Sequence, residues 1–188
     1  MAPLDDEFGT LPVNHEAIKN IETNPIQGTF YRLIRRRYAD RPLSMVGSLE
    51  EGGRYNVAGD FGALYLGFDQ MTCEAEVSQG IAAGLPFRKG AFVFWSYDVA
   101  LESVVRLDQE NIRSEIGVTL EEITVPGDHQ WASTIGAPLH ERRVEGLAAP
   151  SVRIDGRCLD IYLDNLRESS HVEPLTMLRG WPTESSKE

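Results

Sequence analysis

The sequence predicts an α+β domain built on strands with a few covering helices, and three observations carry that prediction. The run AFVFWSYDVALESVVRL is dense in aromatic and β-branched residues, the composition that packs on a pleated, half-buried surface, and it is the strongest strand signal in the chain. Shorter runs of the same kind, TFYRLI, ALYLGF and RCLDIYL, lie on either side of it. Between them Cys73, Val77 and Ile81 recur every four residues, the spacing of one helix face. At 188 residues and 41% hydrophobic content, one domain with a real core is the expected size.

Taken in order, residues 1–28 carry few large apolar groups outside LPVNHEAIKNI, where Asn14 can cap a short helix presenting Ile18 and Ile21. They read as a peripheral arm to a domain over 29–172. TFYRLI alternates as a strand, and Arg35, Arg36 and Arg37 after it read as a solvated face. Gly47 to Gly62 holds five glycines with Asn and Asp among them, a turn-rich backbone that admits close approach. ALYLGF follows as a short strand, and Asp69 is placed to cap a helix through MTCEAEVSQGIAAG. Glu74 and Glu76 flank that helix's buried stripe on opposite sides, too far apart in direction to act as a carboxylate pair. Periodicity leaves the choice between them open.

AFVFWSYDVALESVVRL supplies one or two core strands, Pro126 and Gly127 mark a turn, and WASTIGAPLHERR reads as a helix packing Trp131 and Ile135. GLAAPSVR leads to RCLDIYL, which alternates Cys158, Asp160 and Tyr162 against Leu159, Ile161 and Leu163 as a final strand. Residues 173–188 turn polar and read as a loose tail.

Charge removes several function classes. Eighteen basic against twenty-nine acidic residues leave a net charge of −11, which repels phosphate backbones and anionic lipid surfaces. Neither nucleic acid nor membrane is therefore an expected partner. Cys73 and Cys158 are too few for a disulfide framework, and with four scattered histidines they show no metal-ligand spacing, so no metal is expected. MAPLDDEFGT lacks the basic and apolar regions of a signal peptide, which points to a cytoplasmic protein.

Five short pieces in a fixed order are more specific: FYRL, GGRYN followed by a glycine, LYLG, the helix carrying EAEV, and APSVR ahead of a strand. In these the chain resembles, over roughly Gly28 to Asn165, the RES-domain toxins of bacterial type II toxin–antitoxin pairs, a family named for a shared arginine, glutamate and serine. The resemblance implies a fold similar to the ADP-ribosyltransferases, a split pair of small antiparallel sheets with flanking helices around an NAD cleft. Carried over residue by residue, it assigns Arg32, Arg54, Tyr65, Glu76 and Ser151 to the site, with Glu76 preferred to Glu74 by the family pattern. Tyr55 stands where the family more often has tryptophan, a second aromatic near the ligand.

The chemistry suits those residue types. Arginine forks grip a pyrophosphate by bidentate, charge-assisted bonds, and the backbone beside Arg54, at Gly53, can approach the same oxygens. An aromatic face such as Tyr65 holds a cationic nicotinamide ring. Nicotinamide departs neutral, so one carboxylate, Glu76, suffices to stabilise the ribosyl cation, with the Ser151 hydroxyl holding the ribose or the carboxamide.

The implied activity is that of an NAD-consuming toxin, with NAD+ as substrate and no metal, that cleaves the nicotinamide–ribose bond and passes ADP-ribose to water or phosphate. The alternatives are mono-ADP-ribosylation of a host protein of nucleotide metabolism and, from a different class, a catalytically silent nucleotide-binding module. A cognate antitoxin is expected to push a segment into the cleft, where Arg32 and Arg54 suit a carboxylate.

Overall fold

A computed structural model describes residues 13–82, 90–125 and 130–182. Among the described residues six strands form two three-stranded antiparallel groups. In the first, β3 (Phe92–Arg106) runs between β1 (Asn24–Arg35) and β6 (His171–Trp181). In the second, β5 (Arg157–Ile161) runs between β2 (Leu64–Gly67) and β4 (Gly146–Pro150). Only slender pairings join them, Tyr31 with Gly67 at one margin and a short parallel ladder, Val104–Arg106 with Gly146–Ala148, at the other. The result is one mixed six-stranded sheet made of two antiparallel halves, with helices flanking it.

Two-sided burial in β3 explains why the fifteen-residue strand reads as a near-continuous apolar run: it has neighbours on both edges and side chains packed on both faces. Tyr97, Val99, Leu101 and Val104 meet Phe30, Leu64, Leu66, Leu159 and Ile161 in a core between the two halves. Helix α3 (Gln70–Ala82) lays Cys73 and Val77 against Leu33, Phe92 and Phe94. A third core gathers Tyr55, Leu147 and Tyr162 with Ile135 of α6 (Gln130–Glu141) and with Ile18 of α1 (His15–Asn20).

Local signals hold where expected. Asn14 accepts from Ala17 N–H at 3.0 Å, and Asp69 accepts from Thr72 N–H at 2.7 Å. Among the three consecutive arginines, Arg36 and Arg37 are exposed. The side chains of Ile81 and Trp131, expected in the core, lie outside the described residues, as does the turn at Pro126 and Gly127.

Strand β1 crosses the 28/29 boundary expected for the domain, and β6 crosses 172/173. Over its described residues, the segment read as an arm joins the core: Ile18 and Ile21 are buried, and Arg142 donates to their carbonyls at 2.9 and 2.8 Å, satisfying the helix end. Nor is RCLDIYL the final strand, because HVEPLTMLRGW follows it as β6. That segment was obscured by Pro174 and by polar alternation, both tolerated because β6 is an edge strand pairing with β3 alone.

Candidate active site

The two halves of the sheet part around a cleft of about 320 Å³. Its floor is built by period-2 alternation: Tyr65 of β2, Cys158 and Asp160 of β5 and Ala149 of β4 face it, while Leu64, Leu159 and Ile161 turn into the core between the halves. Helix α3 contributes Thr72, Cys73, Glu76 and Val77 to one wall. Arg32 of β1 and Arg54 and Tyr55 of the glycine-rich loop line the cleft as well.

Helix α3 resolves the choice between its two acids. Glu76 reaches the cleft, and its Oε1 accepts from Ser151 Oγ at 2.6 Å. Glu74 is held outside by Arg179 at 2.6 Å, whose guanidinium lies over the Phe94 ring. Ser151, buried just after β4, also accepts from Arg153 N–H at 3.1 Å, so both its donor and an acceptor site are engaged. It does not line the cleft; it fixes the carboxylate that does.

The glycine-rich loop is tied down by Asn56, which is buried. Its amide donates to Ser48 and Phe61 carbonyls at 2.7 and 2.8 Å, and its Oδ1 accepts from the Tyr65 hydroxyl at 2.5 Å. Gly53 sits directly behind that hydroxyl: a Cβ there would lie 2.1 Å from it. The Gly53 N–H is bonded to the Asn56 carbonyl at 3.1 Å, so this donor is engaged within the loop. Gly53 makes room for Tyr65.

The arginines are anchored through backbone carbonyls. Arg54 donates to Ile123 at 3.0 Å and Val125 at 3.4 Å, at the end of α5 (Leu120–Thr124). Arg32 Nη1 donates to Pro42 and Ser44 at 2.9 and 3.0 Å, and burial lowers its pKa, against the raising influence of Tyr97. A guanidinium carries five N–H donors in a planar fork, so such anchoring aims it while leaving part of the Arg32 fork to face the cleft. Tyr55 is nearly fully buried; its carbonyl accepts from Tyr162 OH at 3.0 Å and abuts Gly136.

Arg32, Arg54, Tyr65 and Glu76 therefore share one cavity, with Gly53 and Ser151 one contact behind it. Sequence reasoning missed Asn56, Thr72, Cys158 and Asp160. The last two stand on the face of β5 opposite Leu159 and Ile161, and the alternation in RCLDIYL was the available signal. Burial pushes the thiols up, that of Cys73 to about 12 and that of Cys158 well above its ordinary value, the latter with the nearby Asp160 and Glu76 carboxyls adding to it.

The family model described as the RES domain matches residues 29–177, a stretch that begins in β1, ends in β6 and includes every residue of the cleft. The chain belongs to the RES-domain family. No curated protein sequence matches it. Among solved structures, the crystal structure of the M. tuberculosis MbcT–MbcA toxin–antitoxin complex is similar, with a TM-score of 0.72 and 19% identity over 87% of this chain and 90% of that one. The α+β fold is that of this RES-domain family, with its mixed sheet and flanking helices. Among the described residues no helix is long and apolar enough to cross a membrane.

Proposed function

We propose that this RES-domain protein is the toxin of a toxin–antitoxin pair and consumes NAD+ by breaking the nicotinamide–ribose bond. The observation that carries this reading is the convergence of Arg54, Tyr65 and Glu76 on one cleft, with the carboxylate of Glu76 pinned at 2.6 Å by the serine of the family's name. Arg32 and Arg54 hold the pyrophosphate, and Tyr65 holds the positively charged ring. As the C–N bond breaks, its electron pair passes to the ring nitrogen and nicotinamide departs neutral. Glu76 faces the positive charge left on the ribose, and a fixed carboxylate costs no reorganisation at that moment. Water or phosphate then attacks the same carbon, yielding ADP-ribose or its 1″-phosphate with loss of a proton.

A solved relative of similar fold is half of a toxin–antitoxin complex, which supports a cognate antitoxin partner for this chain. An antitoxin segment ending in a carboxylate, or carrying an acidic side chain, would suit Arg32 and Arg54 and exclude NAD+. The protein is assigned to the cytoplasm, where NAD+ is available. The test is incubation of purified protein with NAD+ in water, in phosphate and in cell lysate, following nicotinamide and the mass of the other product. Release with free or phosphorylated ADP-ribose supports the reading, and label transferred to a lysate protein redirects it to protein ADP-ribosylation. Absence of release under all three conditions overturns it.

A further inference from the structure

Asp160 differs from Glu145, another buried acid of the core, in how it is satisfied. Glu145, fully buried, receives backbone N–H groups from Glu102, Ser103 and Arg167 at 2.8, 2.8 and 3.0 Å. Asp160 is 2% exposed and lines the cleft, yet its Oδ1 is buried with no hydrogen-bond partner among the described residues. A buried carboxyl oxygen with no partner costs free energy comparable to a lost hydrogen bond, a cost that a ligand donor or acceptor at the cleft wall would relieve. It lies directly opposite Tyr65 in the β2–β5 ladder and opposite Leu147 in the β4–β5 ladder.

We propose that Asp160 is a specificity-determining residue of the cleft, its carboxyl pairing with the carboxamide on the pyridine ring of the substrate. The inference rests on the NAD+ reading and deepens it. Opposed side chains in an antiparallel pair have Cβ atoms about 5 Å apart. A ring held against Tyr65 therefore presents its substituent to Asp160. An uncharged carboxyl offers one O–H donor and one carbonyl acceptor, and a primary carboxamide offers one acceptor and N–H donors, so the two close a cyclic pair of hydrogen bonds. An ionised carboxylate would accept from the amide N–H but leave the amide oxygen without a donor.

The surroundings favour the uncharged form. Burial raises the Asp160 pKa well above its ordinary value, the negative charge of Glu76 raises it further, and the Arg54 guanidinium opposes them. The titratable groups around it are Arg54 and Tyr55 of the glycine-rich loop, Tyr65 of β2, Glu76 and Cys73 of α3, Cys158 of its own strand and Tyr162 just after that strand. From β4 it meets Leu147 and Ala149, which do not titrate.

The test uses the full chain with NAD+, with the analogue in which the carboxamide is replaced by an acetyl group, and with ADP-ribose, which has no pyridine ring. Asp160→Ala should raise KM for NAD+ by about ten- to hundred-fold with a smaller change in kcat, and erase the wild-type preference for NAD+ over the acetyl analogue. Its affinity for ADP-ribose should stay within about twofold of wild type. Asp160→Asn, which again offers one donor and one acceptor side, should bring KM back to within about fivefold of wild type. It should also abolish the rise in KM that wild type shows as pH climbs through the Asp160 pKa. Equal loss of NAD+ and ADP-ribose binding in Asp160→Ala would assign the residue a structural role and overturn the inference, as would wild-type protein that turns over NAD+ and the acetyl analogue equally well. Wild-type protein that neither binds nor consumes NAD+ would sink the activity itself, and this inference with it.

Discussion

Gly53→Ala tests how closely the site depends on the placement of Tyr65. The added Cβ would stand 2.1 Å from the Tyr65 hydroxyl oxygen, 2.6 Å from Cζ and 2.7 Å from Asn56 Oδ1, whereas ordinary contact begins at 3.4 Å. The phenol must therefore retreat by about 1.3 Å, which breaks its 2.5 Å bond to Asn56 and moves the ring along the cleft floor. Displacement of a substrate-positioning group by about 1 Å can cost on the order of a hundredfold in rate. Crowding of a packed site typically costs about 1–3 kcal/mol of stability. The expected result is a fall of about a hundredfold in kcat/KM for nicotinamide release, with urea unfolding showing a loss of about 2 kcal/mol. In a Tyr65→Phe background the nearest atom is gone, and Gly53→Ala should cost measurably less there than in wild type. A Gly53→Ala protein with wild-type turnover and wild-type unfolding would refute the assignment of this glycine as space for the phenol.

Further expectations follow from the same geometry. Glu76→Gln, which keeps an acceptor for Ser151 but removes the charge, should lower nicotinamide release by a hundredfold or so while thermal melting shows a change within about 1 kcal/mol. Ser151→Ala frees that carboxylate without removing it, so kcat should fall by about tenfold with KM for NAD+ unchanged; a change in KM alone would show that the serine touches substrate instead. Asp160 holds its proton more tightly folded than unfolded, so stability should decline as pH rises above about 4, the unfolded value, until the raised folded-state value is reached. Denaturation of Asp160→Asn across pH should lack that decline. Asp108 behaves oppositely: burial pushes its pKa up, but the Arg106 fork at 2.7 and 2.8 Å and Arg157 outweigh that and hold it below the usual carboxylate range. Its contribution is present above about pH 4 and lost as pH falls through the depressed value, so Asp108→Asn should cost about 2 kcal/mol at pH 7 and progressively less as pH falls through that value in chemical denaturation.

The parts of the fold that were legible from sequence share a physical cause. The Asn14 and Asp69 caps depend on a side chain and a backbone N–H three residues away, so the chain alone specifies them. The long strand β3 is legible because burial on both faces demands an unbroken apolar run. Strand β6 was not, because an edge position tolerates a proline and polar alternation that would be refused inside the sheet. Helix α1 was misread as peripheral because its two isoleucines look sparse until α6 covers them and Arg142 caps their carbonyls.

The sequence by itself determined the residue types of the site and their order along the chain, since the family motif is a local pattern in each of its five pieces. It also determined which residues alternate on β5, and so put Cys158 and Asp160 on one face. Only the tertiary structure decided that this face is the cleft floor, that Ser151 bonds to an acid 75 positions before it, and that Glu74 is drawn away by Arg179. Those outcomes depend on how α3 is rotated over the sheet. That rotation is set by packing Cys73 and Val77 against Leu33, Phe92 and Phe94, residues too distant in sequence for periodicity to relate.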